Sequence, residues 1–200
     1  MDSVLIENIH GSYSFLNKRP YKMNAPAIKY KNGTEMWYCN GRRHRKDGPA
    51  IIYANGSKKW FFDSKLHRKD GPAIELIDGF KAWYLNGKRY RTDGPAIEYA
   101  NGDKEWFINN LRHREDGPAI EYANGFKFWF INGKCHREDG PAYEGSDGTK
   151  EWYVNGKLHR EDGSAIEYAN GDKYWYYHGK QIDCKDNQEF FRMIKLMAFL

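Results

Sequence analysis

Short runs of β-favouring residues alternate with turn dipeptides along most of this chain. One row of turns is Asn32-Gly33, Asn55-Gly56, Asp78-Gly79, Asn101-Gly102, Asn124-Gly125, Asp147-Gly148 and Asn170-Gly171. A second row is Asn40-Gly41, Asn86-Gly87, Asn132-Gly133 and Asn155-Gly156, relaxed to Asp63-Ser64 and Asn109-Asn110. Asn-Gly and Asp-Gly tolerate the positive φ of a tight hairpin, so both rows predict β-hairpins. Between the turns lie runs such as Lys104-Glu-Trp-Phe-Ile108. Two strands per repeat follow, one short and one long. The long one, Leu111 to Tyr122, is interrupted at Asp116-Gly-Pro118, because proline cannot donate to a ladder and marks a bulge or bend.

The pattern has a fixed period. Trp37, Trp60, Trp83, Trp106, Trp129, Trp152 and Trp175 stand 23 residues apart, as do the alanines Ala27, Ala50, Ala73, Ala96, Ala119, Ala142 and Ala165. Such a period predicts a repeat array in which each repeat packs on its neighbours. The predicted fold is all-β: an elongated, single-layer antiparallel array of 23-residue hairpin repeats. About 14 strands at ~4.8 Å make a rod of roughly 65 Å. Residues 1–24 read as an N-terminal cap containing a decayed half-repeat, because Phe15-Leu-Asn17 aligns with Tyr38-Cys-Asn40 and Asn24-Ala-Pro-Ala27 with Asp47-Gly-Pro-Ala50. Residues 25–180 hold about seven repeats. In residues 181–200, Asp186 and Glu189 suit a helix start, and Phe190, Met193, Ile194 and Met197 keep helical spacing. That helix reads as a lid on the last repeat, with docking to a partner or to a membrane surface as the alternatives.

Two-residue turns would set the register. Around Asn55-Gly56 they place Tyr53 opposite Lys58 and Ile51 opposite Trp60. Around Asp63-Ser64 they place Phe62 opposite Lys65 and Trp60 opposite His67. Alternation then puts Ile, Tyr, Trp and His on one face and Ala, Glu and Arg on the other. Glu105 would face Arg114.

Composition narrows the function classes. Aromatics are 16% of the chain, and 32 basic against 27 acidic residues leave a net charge of +5, too mixed to imply nucleic acid by itself. Cys39, Cys135 and Cys184 occupy unrelated repeat positions, which points to a reducing compartment and hence the cytoplasm. No signal peptide is evident at Met1-Asp2, and no apolar run approaches the ~20 residues of a membrane helix.

The string Trp152-Tyr-Val-Asn-Gly-Lys-Leu-His159 resembles the MORN repeat, over roughly residues 13–180. The His-Arg-x-Asp-Gly-Pro-Ala segment is similar to a bacterial and viral variant that includes antitoxin-like proteins. The resemblance implies single-layer antiparallel sheets that bind other proteins, in a host cytoplasm if the source is viral. It does not extend to lipid binding, since Arg45, Arg68, Arg91, Arg114, Arg137 and Arg160 stand where the typical repeat has glycine.

No catalytic residue, metal ligand or cofactor site is expected. His44, His67, His113, His136 and His159 recur once per repeat, ~10 Å apart, whereas zinc ligands converge within ~2.1 Å of one ion. Packing on the paired Trp, as His113 on Trp106, is the role expected of them. The lysine row Lys58, Lys81, Lys104, Lys127, Lys150 and Lys173 is expected to cover its own Tyr and Trp rings. Tracking a nucleic acid or another anionic polymer is the alternative. A site should appear where repeats differ. Phe80 and Phe126 occupy an expected hairpin tip, with Asp103 between them in sequence, and Phe128 stands where Lys59, Glu105 and Glu151 stand elsewhere. The candidate partner-binding residues are therefore Phe80, Lys81, Asp103, Phe126, Lys127 and Phe128.

Overall fold

The computed structural model describes residues 3–22 and 24–197. Met23 and the outer ends of the two expected caps, residues 1–2 and 198–200, lie outside them. The chain divides into two compact units, residues 1–100 and 101–200. Both are built from short antiparallel strands, and the one helix among the described residues is Asn187–Met197. It is too short to cross a membrane, and no helix of the described residues is long and apolar enough to do so.

In the first unit a ladder runs from Ser3–Asn8 through Gly11–Leu16, Ile28–Tyr30, Glu35–Met36, Ile51–Ile52, Lys58–Lys59, Ile74–Glu75 and Lys81–Ala82 to Ile97–Glu98. In the second unit the ladder runs from Lys104–Glu105 through Ile120–Glu121, Lys127–Phe128, Tyr143–Glu144, Lys150–Glu151 and Ile166–Glu167 to Lys173–Tyr177 and Lys180–Ile182. The second-turn hairpin geometry recurs near the N-terminus. Asn17 and Lys18 adopt φ of 50° and 60°, and Phe15 pairs with Pro20 as Tyr38 pairs with Arg43.

The five repeats centred on Trp60, Trp83, Trp106, Trp129 and Trp152 each hold four two-residue strands rather than two. The run 104–108 breaks at Trp106, whose N–H donates to Ala119 O at 2.8 Å while its carbonyl accepts from His113 N at 3.2 Å. The tryptophan thus ends one ladder and opens a second, separate hairpin, Phe107–Ile108 with Leu111–Arg112. These second hairpins join their neighbours at the turns, as in Gly133 N to Arg112 O and Gly156 N to Cys135 O, both 2.8 Å. The periodic alanines stand where this exchange of partners occurs and are at most 1% exposed, which leaves no room for a longer side chain.

The first turn departs from expectation by one residue. Tyr53 N donates to Ser57 O and Gly56 N to Tyr53 O, so the loop holds three residues, with only Gly56 at positive φ. The asparagine side chain bonds the chain two residues on, at Ser57 N, a geometry that places the glycine in the left-handed position of a bulged hairpin. Ile51 therefore pairs with Lys59 and Ile52 with Lys58. A one-residue slip exchanges the faces of a strand. The second turn follows expectation: Asn132 and Gly133 both have positive φ, 50° and 78°, and Phe62 pairs with Lys65.

Candidate functional site

The slip redistributes the recurring side chains. Arginine, not histidine, lies on tryptophan: Arg45, Arg68, Arg91, Arg114, Arg137 and Arg160 place their guanidinium carbons 4.0–4.2 Å from the ring centres of Trp37, Trp60, Trp83, Trp106, Trp129 and Trp152. Arg114 also donates to Pro118 O, Asp116 and Glu121 at 3.2, 2.9 and 2.7 Å. The glycine of Asp-Gly-Pro makes the space, since a Cβ on Gly117 would stand 2.9 Å from that guanidinium. The Arg114 partner bond holds the Asp116 carboxyl below the usual carboxylate range. The recurrence of Asp two residues and Glu seven residues after each arginine from Arg68 onward was the sequence signal for this arrangement. Glu105, expected opposite Arg114, instead bonds Arg112 at 3.0 Å and is nearly buried.

The histidines hold the next repeat. Nδ1 of His113 accepts from Asn132 N at 3.2 Å, and His67, His136 and His159 accept likewise from Asn86, Asn155 and His178. The rings that touch them are Phe62, Tyr177 and His178. Burial, then His178, lowers the pKa of His159.

The lysine row also sits differently. Lys81 pairs across the ladder with Glu75 and Glu98, Lys127 with Glu121 and Glu144, and Lys150 with Glu144 and Glu167. Among the described residues, the lysine found over a tyrosine is Lys59, whose Nζ stands 5.4 Å from the Tyr53 ring centre.

The candidate residues fall into both units. In the first, Phe80 is half-buried with its ring edge-on to Tyr99 at 5.5 Å, and Lys81 is exposed. In the second, Phe126 stacks on Tyr143 at 6.1 Å, and Phe128 contacts Tyr143, Tyr122 and Phe130 at 4.7, 6.2 and 6.4 Å. The position of Phe80 and Phe126 is not the water-exposed tip expected. It points onto the following repeat, where Thr34, Ser57 and Asp103 accept from the N–H groups of Ala54, Ile77 and Ala123. Asp103 is thus occupied within the fold, with Asn101 on its other oxygen at 2.9 Å. The structure brings Phe126 and Phe128 into one patch, while Lys127 between them pairs with Glu121 and Glu144 and so falls on the opposite face of the ladder. Tyr122 and Tyr143 complete the patch, and Tyr122 is 38% exposed. Tyr122 stands among the recurring tyrosines Tyr30, Tyr53, Tyr99 and Tyr168, which hid it in the sequence, whereas Tyr143 stands where Ile120 and Ile166 stand and was a visible outlier that the sequence reading passed over.

Nearby, burial and then Glu151 push the Cys135 thiol up to about 12. Burial, then the hydrogen bond to Glu151, raises Tyr153. These groups stay protonated at neutral pH and offer no ready nucleophile. No family model matches the chain, and no curated protein does.

Proposed function

We propose that the chain is a non-enzymatic repeat scaffold that binds a protein partner through the aromatic patch of its second unit. The observation that carries this reading is the contact set Tyr122, Phe126, Phe128 and Tyr143, gathered where the other repeats carry Met, Lys, Ala, Glu or, in the last, Tyr174 in place of Phe128, and where Tyr143 replaces the recurring isoleucine. Aromatic anchors suit a protein interface. The pairing of the lysine row with glutamates argues against a nucleic acid tracking along that row.

The likeness to MORN repeats, in the His-Arg-x-Asp-Gly-Pro-Ala variant, supports the same reading. An antitoxin-like or counter-defence inhibitor acting in the cytoplasm is the form it implies. The test is affinity purification from the native host with wild type and with Phe126→Ser/Phe128→Glu. Serine and glutamate occur naturally at the same positions as Ser57 and Glu105. A partner that wild type captures stoichiometrically should weaken by at least roughly tenfold on the variant, while its circular dichroism and melting stay unchanged. An equally strong complex with the variant would remove the patch from the interface.

A further inference from the structure

Successive Asp-Gly-Pro loops leave grooves of one construction, with a tryptophan floor. The groove between residues 45–49 and 67–70 in the first unit has a volume of about 680 Å³. Two in the second unit, between residues 114–118 and 136–139 and between 137–141 and 159–162, have about 750 and 800 Å³. Their chemistry differs. Counting the charged residues that line each, with histidine neutral, the first groove carries net +2 and the other two net −2. The reversal comes from one position: Lys46 and Lys69 stand where Glu115, Glu138 and Glu161 stand. The partition extends to the whole chain. Residues 1–100 carry net +8 and residues 101–200 net −3, which together make its +5.

The same groove has an aromatic platform that the others lack. Phe62 lines it, where Ile131 and Val154 line the other two. The ring is 45% exposed and is held between His44 and His67, with centroids at 4.5 and 5.8 Å. Lys65, exposed, stands opposite it in the hairpin. A half-exposed ring fixed between two imidazoles, with ammonium groups on both rims, offers a π-face flanked by cations. Single-stranded nucleic acid matches that pairing, because every base has a face to stack and a phosphate on either side.

We propose that the groove around Phe62 binds single-stranded nucleic acid, with a base against Phe62 and the flanking phosphates on Lys46 and Lys69. An acidic protein segment would use the lysines and gain little from the ring. A duplex keeps its bases stacked on one another and could not reach Phe62. This site is separate from the aromatic patch of the second unit and does not depend on it.

The experiment is fluorescence anisotropy of the full chain with labelled short oligouridylate, oligothymidylate and oligoglutamate. Wild type should bind the uridylate or the thymidylate, or both, more tightly than the glutamate, and the comparison of the two oligonucleotides tells RNA from DNA. Lys46→Glu/Lys69→Glu should reduce the salt slope by roughly 1.4, the value for two phosphate contacts on a single strand. Phe62→Leu, with the residue natural at Leu85, should weaken oligonucleotide binding at least about fivefold and leave oligoglutamate unaffected. Each substitution places a residue that the repeat already tolerates elsewhere, and melting curves verify the fold. Absence of oligonucleotide binding overturns the proposal. So does insensitivity to either variant, or oligoglutamate binding as tightly as the oligonucleotides. Partner capture that persists in Lys46→Glu/Lys69→Glu separates this outcome from the fate of the protein-binding patch.

Discussion

At the scale of single residues, arginine does the work that histidine was expected to do. Arg114 stacks on Trp106 and bonds a backbone carbonyl, a partly buried glutamate and an exposed aspartate. A planar fork can meet these at once and an ammonium cannot. Arg114→Lys should cost about 1–2 kcal/mol in denaturant unfolding, from lost carbonyl and Glu121 bonds. Asp116, which is 85% exposed, should contribute little of that. Histidine acts through its acceptor nitrogen, and a protonated ring has none to offer the Asn N–H. For His159 the folded pKa is lowered by burial first and His178 second, so the unfolded chain binds the proton more readily. Stability from this group is complete above the unfolded value of about 6.5 and is lost as pH falls through the folded one. Urea midpoints should be flat at mildly alkaline pH and fall on acidification below that value. His159→Gln, which keeps an acceptor and does not titrate, should make the acid limb shallower. A limb of unchanged slope would place the titration elsewhere.

At the scale of the element, the two turn rows look alike in sequence and are built differently. Asn132-Gly133 closes a two-residue loop with both residues left-handed, whereas Asn55-Gly56 ends a three-residue loop with only the glycine so. The dipeptide permits either, because asparagine tolerates positive φ and also caps the chain two residues on with its own oxygen. Hairpins, repeat boundaries and the helix start were therefore legible: Asp186 accepts from Glu189 N at 2.8 Å, and Phe190 is fully buried. The register at the first turn was not, and with it went the face assignments. The aromatic patch was half legible. Phe126, Phe128 and Tyr143, which replaces the recurring isoleucine, broke the pattern visibly, but Tyr122 matched it, and the contacts among them depend on that register.

At the scale of the whole molecule, stability in such an array is the sum of repeats and nearest-neighbour interfaces. The C-terminal helix illustrates this within the second unit. Phe190 packs with Trp175 and Ile182, and Trp175 Nε1 donates to Asn187 at 2.8 Å. Phe190→Ala should cost about 3–5 kcal/mol locally. Amide exchange should accelerate in Lys173–Tyr177 and Lys180–Ile182 and stay near wild type in Ile120–Glu121 and Lys127–Phe128. Uniform acceleration through the unit would mean that it unfolds as one body instead.

The amino-acid sequence alone determined the 23-residue period, the all-β hairpin construction and the C-terminal helix. Turn chemistry and spacing act over a few residues, so they can be read along the chain. Only the tertiary structure decided which ring meets which cation, which carboxylates pair with the lysine row, and which outlying aromatics share a patch. Those contacts join residues 6–17 positions apart, across ladders whose register turns on a single residue in a loop. Local sequence leaves that residue open, and packing against the next repeat settles it.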